Sequence, residues 1–178
     1  MLRRVGKIAF YTVPAAVYFH DNIAQITKIE GSSMQPTLNP NNSRMSDDYV
    51  VLAKCFYSPK RGDVVVARSP TSPREKIVKR IIGLPGDIIR ERGGDDGFGV
   101  TRVPKGHCWL EGDNKSSSYD SNGFGPTPLA ILEGKVLCVC WPPTRAGIIH
   151  SVEAGPPRVS TPFSSQTAAP SSRPWGIF

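Results

Sequence analysis

Histidine is scarce in this chain of 178 residues: His20, His107 and His150 are the only three, and they are widely scattered. A Ser-His-Asp triad or a His-rich metal site therefore has little to draw on. The four cysteines (Cys55, Cys108, Cys138 and Cys140) are too few and too oddly spaced for a disulfide framework, and no CxxC pair occurs. They read as reduced thiols in buried positions. Hydrophobic residues make up only 39%, which excludes a polytopic membrane protein and a long helical bundle. No period of 20–50 residues repeats, so the chain is not a solenoid. No Lys/Arg run with interleaved aromatics appears, which excludes nucleic acid as the expected partner.

What the chain does have is turn formers and short Val/Ile runs. It holds 17 glycines and 17 prolines. The segments Tyr49–Lys54, Asp63–Arg68, Lys76–Ile82, Asp87–Arg92 and Lys135–Trp141 read as strands. Pro59-Lys60-Arg61-Gly62, Pro85-Gly86 and Gly93-Gly94 separate them as turns. No long amphipathic helix intervenes, so antiparallel pairing is expected and the fold class is mostly β.

The formal net charge is +7, and 16 basic against 13 acidic residues over 28–140 leave the body at only +3. Arg3, Arg4 and Lys7 precede the one extended apolar stretch, Ile8–Phe19. Those 12 residues span about 18 Å as a helix, short of a hydrocarbon core of ~30 Å. Extended over Val5–Thr27 the segment reaches far enough, with Lys7 and Asp21 drawn toward the interfaces. A single uncleaved anchor with its basic end on the inner side is the favoured reading. A secretory signal or a surface helix is the alternative. The expected organisation is an anchor over 1–27, a β-rich domain over 28–145 and a Pro/Ser-rich disordered tail over 146–178. Removal of 151–178 is expected to leave the domain working.

Three segments carry chemistry. The first is Gly31-Ser32-Ser33-Met34-Gln35-Pro36-Thr37-Leu38, in which small residues around a serine allow close backbone approach to a peptide carbonyl. In isolation it reads better as an ordinary Ser/Pro turn. The second runs Arg61-Gly62-Asp63-Val64-Val65 and then Lys76–Asp87. Strand alternation puts Lys79 on a face with Ile77 and Ile81, and Arg80 on the other with Val78 and Ile82. A lysine among apolar neighbours loses solvation, which favours the neutral amine able to act as a base. A lysine snorkelling from a strand edge is the alternative. The third is the polar loop from Gly112-Asp113-Asn114 to Ser118-Tyr119-Asp120-Ser121-Asn122 and on to Phe124-Gly125-Pro126.

Together these segments resemble the type I signal peptidase family. Its pattern is a Ser-Met-x-Pro-Thr segment, a Lys-Arg-x-x-Gly-x-Pro-Gly-Asp strand and a Gly-Asp-Asn…Ser-x-Asp-Ser loop, in that order. Asp120-Ser121-Asn122, Phe124-Gly125-Pro126 and Trp141-Pro142-Pro143 look like the mitochondrial inner-membrane branch. The resemblance implies an antiparallel coiled-sheet domain and a serine endopeptidase that removes sorting signals on the intermembrane-space side. Ser33 is then the nucleophile and Lys79 the general base, with Ser118 orienting the lysine and Asp120 a structural acid. No cofactor or metal is implied. Substrates of the family carry small side chains at the first and third positions before the cut. The mitochondrial members work as two related catalytic subunits, which implies a sister subunit in a heterodimer. The alternatives are a bacterial or plastid leader peptidase, and a non-catalytic subunit or adaptor.

Two departures from the family pattern stand out. Gly31 occupies the place of a serine that helps bind the oxyanion, which leaves the backbone N–H of Ser33 or another donor for that task. Asn122 occupies the place of an arginine, so Asp120 needs another charge partner, and Arg80 is the expected one.

Overall fold

The computed structural model describes residues 2–41, 47–55, 58–92, 99–152 and 159–160. All five strands expected from the Val/Ile runs form. The helix α1 (Leu2–Asn22) leads into β1 (Ala24–Lys28), β2 (Tyr49–Ala53), β3 (Val64–Arg68), β4 (Lys76–Gly83), β5 (Ile88–Arg90), β6 (Val100–Arg102) and β7 (His107–Glu111). A short helix α2 (Ser121–Phe124) follows, then β8 (Thr127–Pro128), β9 (Leu132–Trp141), β10 (Gly147–Ile148) and β11 (Val159–Ser160).

Eight strands form one antiparallel sheet in the order β1-β2-β9-β3-β4-β7-β8, with β10 on β9. The long β9 curls this sheet. Its C-terminal part pairs with β2 and its N-terminal part with β3, and register shifts interrupt both ladders. A second sheet has the order β11-β5-β6.

The burial pattern follows from these positions. Val64, Val65, Val66 and Ala67 of β3 are all buried, as a central strand covered on both faces requires. One core gathers Ile29, Met34, Leu38, Val50, Leu52, Val64, Val66, Val136 and Val139. A second holds Val65, Ala67, Ile81, Cys108 and Leu110, with Ile77 packed against it. A third joins the two sheets through Ile82, Ile89, Val103 and Trp109. Of the four free cysteines only Cys108 is buried, and burial pushes its thiol up to about 12. Cys140 is exposed, against the expectation of buried thiols.

Both ends of the β-domain differ from the sequence expectation. The anchor cannot run to Thr27, because residues 24–28 pair antiparallel with β2, Ile26 opposite Val51 and Thr27 opposite Val50. No helix among the described residues is long and apolar enough to cross a membrane. The expected tail begins inside the fold: Gly147 and Ile148 pair with Val139 and Cys138 of β9. Val152 donates its N–H to the Gly62 carbonyl (3.3 Å), and Val159 and Ser160 pair with Ile89 and Ile88. The rest of that tail, 153–158 and 161–178, lies outside the described residues, as does the expected Gly93-Gly94 turn.

Candidate active site

Gly31 opens the segment after β1 with a φ of +92°, a backbone conformation that glycine adopts at no steric cost. The chain then turns, and Leu38 N–H bonds the Met34 carbonyl (2.9 Å) while Met34 and Leu38 sink into the first core. This places Ser33 on the wall of a cleft of about 290 Å³, opposite Ile77, Val78 and Lys79 of β4. Thr27, Lys28, Ile29 and Glu30 line the same cleft.

The far end of the Ser33 segment is locked. Asn39 is buried at a φ of +49°. Its side chain donates to the Ile29 carbonyl (2.7 Å) and accepts from Asp48 N–H (2.7 Å). The fully buried Asp48 carboxylate accepts the Asn39 N–H (2.9 Å) and pairs with Arg145 (2.9 Å).

Lys79 lies opposite Val65 in the β3–β4 register and is only 4% exposed. Its Nζ donates to Ser118 Oγ (3.0 Å), and that hydroxyl donates to Asp120 Oδ2 (3.0 Å). Burial pushes the Lys79 amine below its ordinary 10.5, and the negative Asp120 draws it partly back. Asp120 is itself buried, which pushes its carboxyl upward. Hydrogen bonds from the Asn122 side chain, the Gly112 N–H, the Asn122 N–H and Ser118 outweigh that and hold it below 3.8. Asp120 also caps α2 through the Asn122 N–H (3.1 Å).

Lys79, Ser118 and Asp120 thus form one hydrogen-bonded chain, and Ser33 lines the same cleft as Lys79. Arg80 does not join it. Its guanidinium grips Asp113 through two hydrogen bonds (2.8 and 2.6 Å) and donates to the Gly62 carbonyl (2.6 Å). Asp113 in turn accepts from Thr37 Oγ1 (2.5 Å). Burial pushes the Asp113 carboxyl up, but Arg80 and then Thr37 hold it below 3.8. Alternation along β4 explains the correction: adjacent side chains face opposite sides of the sheet, so Arg80 cannot follow Lys79 to Asp120. The cation beside Asp120 is Arg92, just beyond β5 (3.4 Å).

Other residues of the first and third segments hold the two together. Gly112 packs against the Ser118 side chain, and a Cβ there would also meet the Ser33 carbonyl oxygen at 2.5 Å. The Ser33 carbonyl accepts the Asn114 N–H (3.0 Å), and Ser32 Oγ meets Ser117 Oγ (2.9 Å). The whole third segment is therefore stitched to the first.

Comparison with known proteins places the chain in a family. The family described as signal peptidase, peptidase S26, matches residues 2–98 and 95–141. The chain belongs to this family. Mitochondrial inner membrane protease subunit 2 of Mus musculus is 44% identical over 80% of this chain and 82% of that protein. Subunit 2 of Saccharomyces cerevisiae is 37% identical over 83% and 85%. Mitochondrial inner membrane protease subunit 1 of Mus musculus is 33% identical over 87% and 94%. Among solved structures, a signal peptidase I from Enterococcus faecalis covers 46% of this chain and 98% of its own, at 24% identity and a TM-score of 0.40. As a member of the signal peptidase family, the protein is a serine endopeptidase.

Proposed function

We propose that the protein removes sorting peptides from proteins delivered to the mitochondrial intermembrane space, with Ser33 as nucleophile and Lys79 as general base. The observation that carries this reading is a buried lysine, hydrogen-bonded to Ser118, on the wall of a cleft that Ser33 also lines. In the reaction Ser33 Oγ attacks the scissile carbonyl carbon while neutral Lys79 takes the hydroxyl proton. The oxyanion rests on backbone N–H donors, Ser33's own among them. Collapse of the tetrahedral intermediate breaks the C–N bond, and the Lys79 ammonium returns its proton to the leaving amine. Water, deprotonated by the same lysine, then releases the acyl-enzyme.

An extended peptide entering between residues 27–31 and 76–79 can add as a strand, with its small side chains turned into the cleft. Exposed Phe10, Tyr11, Val13, Val17, Tyr18 and Phe19 fit α1 for apolar surroundings, the inner membrane or a helix of a related subunit. The likeness to subunits 1 and 2 supports a heterodimer of this chain with a sister subunit.

The test is cleavage of a presequence peptide by wild type, Ser33→Ala and Lys79→Met. Both variants are expected to be folded and inactive. Near-wild-type turnover by either one overturns the dyad.

A further inference from the structure

Asp120 lacks the neighbouring arginine of the family pattern, and the structure fills that gap from a distant part of the chain. Arg92 Nη2 donates to Glu111 Oε2 (2.5 Å) and reaches Asp120 Oδ2 (3.4 Å). Both carboxylates are nearly inaccessible, Glu111 at 3% and Asp120 at 4%. Asn122 completes the cluster. Its Nδ2 donates to Asp120 Oδ1 (2.8 Å) and to Glu111 Oε1 (3.2 Å), and its Oδ1 accepts the Arg92 N–H (2.8 Å). Trp109 Nε1 donates to the same Glu111 oxygen (2.9 Å). Two buried anions thus share one guanidinium, whose Nε is itself buried with no hydrogen-bond partner among the described residues.

We propose that Arg92 is a positioning residue for this peptidase: held by Asn122 and Glu111, it fixes and partly neutralises Asp120, and so sets how Ser118 presents the Lys79 amine. The inference rests on Lys79 being the base. Arg92 acts through Asp120 and Ser118 and does not touch the cleft.

The electrostatic sign follows from the neighbours. Asp120 favours the ammonium form of Lys79, and a cation at Arg92 opposes that influence. The other charged groups near the lysine are the Arg80–Asp113 pair on the opposite face of β4. Lys28, Glu30 and Lys76 stand at the cleft rim, where Lys28 pairs with Glu30 and Asp47, and Lys76 with Glu133. None of these ion pairs includes Arg92.

The experiment measures kcat and KM against pH for the detergent-solubilised full-length chain, using one presequence peptide. Arg92→Met is expected to move the acidic limb of kcat up by about one pH unit, a roughly tenfold loss of kcat below the limb with KM little changed. Arg92→Lys keeps the charge and is expected to restore the limb. The double variant Arg92→Met/Glu111→Gln removes one cation and one anion together, and serves if the single variant fails to fold. Its limb is also expected to rise, because Asp120 has still lost its guanidinium. An unmoved limb in a folded variant lacking Arg92, or an equal upward shift in Arg92→Lys, overturns the proposal. Ser33→Ala and Lys79→Met run alongside separate the two levels. If they retain cleavage the dyad fails, whereas if they are inactive and Arg92→Met matches wild type, only the role of Arg92 fails.

Discussion

Asp120→Asn probes the electrostatics of the site with little change in shape. Two hydrogen bonds of 3.0 Å link Lys79 to Ser118 and Ser118 to Asp120. The amine and the carboxylate oxygen are therefore at most about 6 Å apart. With an effective dielectric constant of about 20, unit charges at that distance attract by roughly 2.8 kcal/mol. This attraction favours the ammonium, so its removal lets burial lower the Lys79 pKa further. The acidic limb of kcat/KM is expected to move down by about 1–2 pH units, since the amide dipole retains part of the field. Asparagine has one oxygen where Asp120 uses two, Oδ2 for Ser118 and Oδ1 for the Asn122 N–H; with its oxygen toward Ser118 it gives up the cap on Asn122, while Arg92 keeps Glu111. The assay is hydrolysis of a fluorogenic presequence peptide across pH, with circular dichroism to verify folding. The shift has the opposite sign to that expected for Arg92→Met. A limb that stays in place or moves up refutes the assignment of the limb to Lys79 or the sign of the coupling.

Three further outcomes are expected. Ser118→Ala removes the hydrogen-bond partner of the Lys79 amine and should lower kcat/KM ten- to a hundredfold, with little change in melting temperature; retained activity would contradict the orienting role. Gly112→Ala drives a methyl group into the Ser33 carbonyl and the Ser118 side chain, so peptidase activity should fall more than tenfold; unchanged turnover would show that this contact relaxes freely. A chain ended at His150 loses the Ser151–Asp63 and Val152–Gly62 hydrogen bonds and the β11–β5 pair, and should be less stable by about 1–3 kcal/mol than one ended at Ser160. Equal melting temperatures for the two truncations would restore the expectation of a dispensable segment from 151 onward.

The strands most legible in the sequence are those rich in Val and Ile, β2, β3 and β4 above all. Nothing in the sequence marks β7. His107-Cys108-Trp109-Leu110-Glu111 has no β-branched residue, and Cys108 through Glu111 are all buried, so the inside–outside alternation that signals a strand is missing. Ser33 and Lys79 were singled out because each sits in its own recognisable segment, and Ser118 and Asp120 because they share a third. Arg92 was not, because its contact with Asp120 spans 28 residues and depends on how the second sheet lies against α2. The beginning of the tail was hidden by its composition. Average polarity over 146–178 conceals the Gly147-Ile148-Ile149 run, and Ile149 packs on the first core.

The strand β4 also shows why the site needs buried charge. Lys79 and Arg80 are consecutive, so the pleat sends them to opposite faces. On one face Lys79 meets Ser118 and Asp120. On the other Arg80 holds Asp113, and Asp113 holds Thr37, four residues beyond Ser33. Asp113 itself follows Gly112, which touches both Ser33 and Ser118. A displacement of the Ser33 segment relative to β4 must therefore break the Arg80–Asp113–Thr37 clamp. Apolar side chains of similar volume would fill the same space, often at no cost in stability. They lack the bidentate geometry that fixes direction as well as distance. A reaction between two groups on separate segments loses rate steeply when they drift by an ångström. On the proposed Ser33–Lys79 assignment the ion pair on the far side of β4 serves to align the two, and hydrogen bonds from Arg80 and Thr37 keep Asp113 charged.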